Sequence, residues 1–204
     1  MEMEELEYEL FEDGVLIKKV TIKNIKPCII SEGQISVLMQ LDSELHHVLP
    51  LMILKFPPGK VNYIEKKNVL TLSLYDRLIT IYPSGKVSMN KTNTKEESVE
   101  IMKELAGSLN EAHFESLTGK KVDYVALKEK FSKLGPLTIY ECLPQTDCEE
   151  CGESTCMAFA MKLLSGESKL SECMLLHEMG YLNNVKCLKS KLGSQIMETL
   201  GWNA

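Results

Sequence analysis

Four cysteines, Cys148, Cys151, Cys156 and Cys173, place the tightest constraint on this 204-residue chain. Their spacing is C-x2-C-x4-C-x16-C, so three thiols share a short stretch and the chain must fold back to bring in the fourth. Four thiolates meet the ligand demand of a [4Fe–4S] cube, one per iron. Cys148 and Cys151 can reach adjacent irons from one tight loop, and Gly152 permits the positive φ that such a loop often requires. The run from Cys156 to Leu164 is apolar enough to predict a helix, with Ser154 or Thr155 as its cap. Backbone N–H groups at that helix start would face an anionic cluster. Ser165-Gly166 ends the helix and lets the chain return Cys173 to the site.

Two other readings stay open at this stage. Structural zinc also takes four cysteines, but zinc ribbons use two C-x2-C pairs and zinc knuckles need a histidine where Cys156 stands. Chance clustering of buried thiols is the second. The total of seven cysteines is odd, which argues against a complete set of internal disulfides. In a reducing compartment a cysteine cluster points to metal or redox chemistry. Cys142 and Cys187 are expected as free buried thiols, and Cys28, after Pro27 in a strand-like run, as a core residue. Residues 147–173 carry six acids against Lys162 and Lys169. Negative surroundings make an added electron more costly and so lower a cluster's potential.

The segment Leu143-Pro144-Gln145-Thr146-Asp147-Cys148-Glu149-Glu150-Cys151-Gly152-Glu153-Ser154-Thr155-Cys156 resembles a known family. It is similar to the four-cysteine [4Fe–4S] domain that begins the large subunit of the corrinoid/iron–sulfur protein of the acetyl-CoA pathway. The same domain occurs in a ferredoxin-like subunit of membrane electron-transport complexes. Leu143, Pro144, Thr146, Cys148, Cys151, Gly152, Cys156, Phe159 and Ala160 match the family pattern, and Leu164, Gly166 and Cys173 continue it. The likeness covers about 137–176 and implies that Cys148, Cys151, Cys156 and Cys173 bind a low-potential [4Fe–4S] cluster. Met174 departs from the family, which commonly has proline after the fourth cysteine. Nothing here resembles the corrinoid-carrying barrel of that family, which needs about 250 residues. The resemblance therefore implies the cluster and its electron-transfer role, and no catalytic function.

The remainder reads as an α+β chain. Val15–Ile25, Ile35–Leu41, Val48–Phe56, Val69–Tyr75 and Leu78–Tyr82 are strand-like, with Pro57-Pro58-Gly59 a break and Asp76-Arg77 a two-residue turn. Pro83-Ser84-Gly85 leads into a short strand, Lys86–Met89. Val99, Ile101, Met102, Leu105 and Leu109 form one helical stripe, with Thr94 as N-cap and Glu97 completing a capping box. Helices are also expected over Val122–Leu134 and Leu137–Leu143. The expected division is an acidic leader at 1–13, an antiparallel sheet with a covering helix at 14–115, a helical linker at 116–136, and a small helical cluster domain with a C-terminal tail at 137–204. The stretch from Leu78 to Met89 with the helix after it resembles half of a TATA-box-binding-protein fold, over about 45–112. Only one copy fits, whereas the DNA-binding saddle of that family needs two.

Charge is unevenly spread beneath the net −6. Residues 1–13 hold seven acids and no base, residues 14–139 hold 13 acids and 18 bases, and residues 140–204 hold nine acids and five bases. The leader reads as a solvated tail, although Leu6, Tyr8 and Leu10 alternating with acids also suit an edge strand. With 22 lysines and the single arginine Arg77, forked recognition of bases or phosphates is nearly absent, and aromatic residues for stacking are few. Nucleic acid is therefore not the expected partner. His46 and His47 are adjacent, so in a strand they would point to opposite faces and make a poor joint metal site. No Ser–His–Asp set, phosphate loop, paired-carboxylate signature or HExxH motif appears.

The expected function is that of a cytoplasmic electron carrier of an anaerobe rather than an enzyme. It would exchange one low-potential electron with a redox partner, either a corrinoid protein or another metalloenzyme. A redox-sensing regulator or assembly factor whose basic β domain binds a protein or nucleic acid, or an accessory subunit of a larger enzyme complex, are the alternatives. The acidic start lacks the basic n-region of a secretory signal, and no apolar run is long enough to span a bilayer.

Overall fold

The computed structural model describes residues 5–13, 15–119 and 123–202. It divides into two units, one of residues up to 53 and 61–122, the other of residues 54–60 and from 123 onward. The first unit is α+β. Its strands are β1 (Leu6–Glu9), β2 (Lys19–Pro27), β3 (Ile35–Leu41), β4 (Val61–Ile64), β5 (Val69–Leu74), β6 (Arg77–Ile81) and β7 (Lys86–Thr92). They form one sheet in the order β1-β2-β3-β7-β6-β5-β4, every neighbour antiparallel. Alternation buries Val37, Met39 and Leu41 of β3, Ile79 and Ile81 of β6, and Val87 and Met89 of β7 on one face. In β2 a bulge between Ile22 and Asn24 changes the parity. Val20 and Ile22 face the core before it, and after it Ile25 stands opposite Val37.

The covering helix is α2 (Lys95–Leu117). Its stripe of Ile101, Met102, Leu105, Ala106 and Leu109 is buried. At its start Thr94 Oγ1 accepts from the Glu97 N–H at 3.1 Å, as expected, but the reciprocal bond runs one residue further back. Asn93 N–H donates to Glu97 Oε2 at 2.7 Å. Deeper in the helix the buried Asn110 clamps Ile17 by both backbone groups, at 2.8 and 3.0 Å. That satisfies a chain segment with no strand partner of its own.

Four expectations for this unit need correction. The acidic leader is not a solvated tail where it is described: Leu6–Glu9 pairs with β2, and Glu7 meets Lys19 at 2.9 Å. Val48–Phe56 is not a strand. Leu49–Met52 forms the short helix α1, followed by a 3-10 turn over Ile53–Lys55. Leu49, Leu51, Met52 and Ile53 are all buried, and a run apolar on every side suits a buried helical turn as well as a strand. Pro50 falls in the first turn, where no helical N–H is lost. Val61–Ile64 adds an edge strand that the Pro57-Pro58-Gly59 break hid.

The fourth correction is the hairpin turn, which is Tyr75-Asp76 rather than Asp76-Arg77. Both turn residues have positive φ, 53° and 57°. Arg77 is drawn into the sheet instead, with Nη2 donating to Glu97 Oε1 at 2.8 Å and Nε to the Tyr75 carbonyl at 3.1 Å. Tyr75 is steadied by its hydroxyl donating to Glu104 at 2.8 Å.

The second unit is helical: α3 (Tyr124–Lys133), α4 (Pro136–Tyr140), α5 (Cys156–Ser165), α6 (Leu182–Leu192) and α7 (Ser194–Thr199), joined by 3-10 turns. Asp123 caps α3 by accepting from Ala126 N–H at 3.0 Å, and the expected start at Val122 lies outside the described residues. Gly135 and Pro136 do not merely end a helix, because they begin α4. The anticipated C-terminal tail is α6 and α7, whose Leu188, Leu192, Ile196 and Met197 join a core with Phe159, Leu163 and Leu170. Among the described residues no helix is long and apolar enough to cross a membrane.

Glu97 carries two tasks, completing the cap and pairing the buried Arg77. The Asn93 N–H first, and then Arg77, hold its carboxyl below the usual range. A carboxyl whose folded value is depressed binds fewer protons than in the unfolded chain, so its contribution is present at neutral pH and fades as pH falls through the carboxylate range. Glu97→Ala is expected to cost about 3 kcal/mol, because a buried guanidinium is left without its partner. Urea denaturation at pH 7 checks the loss, and the deficit should shrink toward about pH 4.

Candidate metal centre

The turn before α5 is built by backbone conformation. Gln145, Asp147 and Glu149 have φ of 58°, 46° and 62°, and Gly152 has 83°. Three left-handed residues that are not glycine within five positions mark a turn held by its surroundings. Gly152 N–H closes the turn on the Glu149 carbonyl at 2.9 Å. Thr155, one of the two expected caps, starts α5 by accepting from Ala158 N–H at 3.0 Å. Asp147 adds a bond the spacing did not disclose: its Oδ1 accepts from the Cys156 N–H at 2.7 Å. An acidic residue nine positions upstream of a helix start carries no local signal of that kind.

Cys148, Cys151, Cys156 and Cys173 all line one cavity, together with Phe159 and Met174. Cys148 is exposed and Cys151 half-buried, while Cys156 and Cys173 are 9% and 7% exposed. The short 3-10 turn Leu170–Glu172 delivers Cys173, and Leu170 N–H bonds the Leu200 carbonyl at 2.8 Å. Burial pushes the Cys173 thiol up to about 11, and the facing Cys151, Cys156 and Cys148 push the same way. Among the described residues no three His, Cys, Asp or Glu groups are gathered tightly enough to hold a single metal ion. A donor set of four sulfurs lining one cavity fits an iron–sulfur group.

The remaining cysteines stand elsewhere. Cys142 and Cys187, expected as free thiols, form a disulfide joining the end of α4 to α6. Their separation of 45 residues gave no sequence cue for the pairing. Cys28 is not a core residue but half-buried at the end of β2. Backbone groups of Ile30, then Lys91, hold its thiol down to about 7.

The second unit also holds a segment that sequence reading left as a break. Leu54–Lys60 packs on the end of α5: a Cβ at Gly59 would lie 2.7 Å from the Leu164 carbonyl oxygen. Thr199 Oγ1 donates to the Leu54 carbonyl at 2.6 Å.

Residues 143–175 match the FeS family, described as "Putative Fe-S cluster". This stretch is similar to iron–sulfur domains. Over 68 residues, 32% of its length, the chain is 46% identical to the acetyl-CoA decarbonylase/synthase complex subunit gamma 1 of Methanosarcina thermophila. The corresponding gamma subunit of Methanocaldococcus jannaschii is 35% identical over 66 residues. The corrinoid/iron-sulfur protein large subunit of Moorella thermoacetica is 54% identical over 37 residues, 18% of this chain and 8% of that protein. The match covers 14% of either gamma subunit. No solved structure matches the chain.

Two measurements follow from this geometry. Residue-resolved alkylation with iodoacetamide should place the half-maximal rate at Cys28 near pH 7, below the ordinary thiol range of about 8.5. Gly59→Ala should cost the second unit about 1–3 kcal/mol in thermal unfolding, because a backbone carbonyl cannot give way as a side chain can.

Proposed function

We propose that this chain carries one [4Fe–4S] cluster on Cys148, Cys151, Cys156 and Cys173 and exchanges one low-potential electron with a partner protein. The observation that carries the reading is the four thiols around one cavity, inside the stretch that matches the iron–sulfur family. Such a cluster supplies reversible one-electron chemistry. The chain's own residues do the rest. Asp147 fixes the start of α5 through the Cys156 N–H. Phe159 and the buried Cys156 and Cys173 keep water from one side, while Cys148 leaves an exposed edge.

The partner proposed is a corrinoid protein or another metalloenzyme, with this chain acting as an accessory subunit. The names of the relatives support this, since the archaeal ones are subunits of a decarbonylase/synthase complex and the bacterial one is a corrinoid/iron–sulfur protein. For the first unit, the run of β6, a turn through Ser84-Gly85, β7 and α2 supports the half TATA-box-binding-protein fold as the reading of its architecture.

Anaerobic purification followed by iron and sulfide analysis and electron paramagnetic resonance tests the assignment. About four irons per chain and a signal on reduction are expected for four thiolate ligands. Cys156→Ala should abolish the signal, whereas Cys187→Ala should retain it. Zinc without sulfide would overturn the reading.

A further inference from the structure

The bridge between Cys142 and Cys187 encloses the whole cysteine site. Its ends are 45 residues apart in sequence, and Cys148, Cys151, Cys156 and Cys173 all lie between them. Neither Cys142 nor Cys187 lines the cavity, although Leu143 and Pro144, which follow Cys142, do. The bridge therefore constrains the site without supplying a ligand to it. Residues 141–155, between α4 and α5, form turns and no helix or strand. The five-residue α4 is too short to hold its own shape. The start of this stretch is gripped from α6 instead, twice and at one residue. Asn184 Nδ2 donates to the Cys142 carbonyl at 3.1 Å, and three positions along α6 Cys187 bonds the Cys142 sulfur. One neutral hydrogen bond contributes little by itself, so opening the bridge removes most of the tie. Ring closure restricts the unfolded chain, more so for a longer loop. Here the restricted part is the one that must be ordered before four sulfurs can converge.

We propose that the Cys142–Cys187 bridge is a thiol–disulfide latch on the cluster site: closed, it retains the cluster, and opened by a protein dithiol, it lets iron be lost or exchanged. This rests on the reading that the four cavity cysteines carry a [4Fe–4S] cluster. Cys142 is 1% exposed whereas Cys187 is half-buried, so the reachable sulfur is that of Cys187. Lys186 beside it and Lys191 one turn on are both exposed, and their charges favour an approaching thiolate. One thiolate of the dithiol attacks Cys187 Sγ, the S–S bond breaks, and Cys142 leaves as a thiolate that takes up a proton. The second thiol of the donor gives up its proton and attacks the mixed disulfide, which frees Cys187 as a thiol and leaves the donor as a disulfide. Two electrons pass from the donor to the pair, and the two protons gained by Cys142 and Cys187 match the two the donor loses.

The full chain, purified anaerobically with its iron and sulfide and then poised in mixtures of oxidised and reduced dithiothreitol, tests this. Maleimide labelling with peptide mass spectrometry scores the bridge, and a coloured ferrous chelator reads iron release. Iron release should follow the bridge, rising on the order of tenfold or more as it opens. The paired variant Cys142→Ser with Cys187→Ser should take up the cluster, release iron at the faster rate throughout, and gain nothing from reduced dithiothreitol. Circular dichroism checks that the variant is folded, and the comparison within the unaltered chain needs no substitution. Three results would overturn the latch while leaving the cluster in place: no bridge under fully oxidised dithiothreitol, equal release with the bridge open and closed, or an equal effect of dithiothreitol on both proteins. A chain that holds no iron and sulfide in either form would overturn the latch and the cluster together.

Discussion

The second unit depends on holding residues 145–152 in a backbone conformation that side chains disfavour. Gln145, Asp147 and Glu149 are left-handed without being glycine, and each such residue costs about 1 kcal/mol or more. The anchors that offset this lie mostly outside the turn. Gln145 Nε2 donates to the Tyr140 carbonyl at 3.0 Å, Asp147 reaches the start of α5, and the disulfide ties the neighbouring Cys142 to α6. Cys156 and Cys173 sit in a core with Phe159, Leu170 and Leu200. A turn so constrained keeps its conformation because its surroundings forbid the relaxed alternatives.

The sequence made legible whatever is local. The strand-then-helix order, Thr94 and Thr155 as caps, and the end of α5 at Gly166 all rest on residue types whose preference acts within one turn. The four cysteines of the cavity were equally readable, because their chemistry is carried by identity and spacing. What escaped was set by distant partners. Arg77 moves the hairpin turn because Glu97, twenty residues on, draws it inward. Leu6–Glu9 becomes a strand because β2, ten or more residues on, offers it an edge to pair with. The α1 run is buried on all sides, which removes the periodicity that separates helix from strand. Asp147, Gly59 and the Cys142–Cys187 pair had no signal within reach of any short window.

Charge tells a different story locally than in sum. Several acids of the first strand and its flanks are matched to lysines: Glu7 and Glu9 to Lys19, Glu5 to Lys23, and Asp13 to Lys18. Exposed pairs of this kind each contribute little stability, so their effect is to make an acidic edge strand compatible with its neighbour rather than to hold the fold together. At the cysteine cavity the acids divide by role. Asp147 is bonded to a backbone N–H and Glu153 pairs with Lys162 at 2.7 Å, whereas Glu149 and Glu150 lie exposed at the turn. For a cluster seated there, exposed carboxylates would disfavour an added electron. Glu149 and Glu150 stand between Cys148 and Cys151 in the turn. The electron affinity of such a cluster would therefore follow these neighbouring carboxylates and not the net charge of the chain.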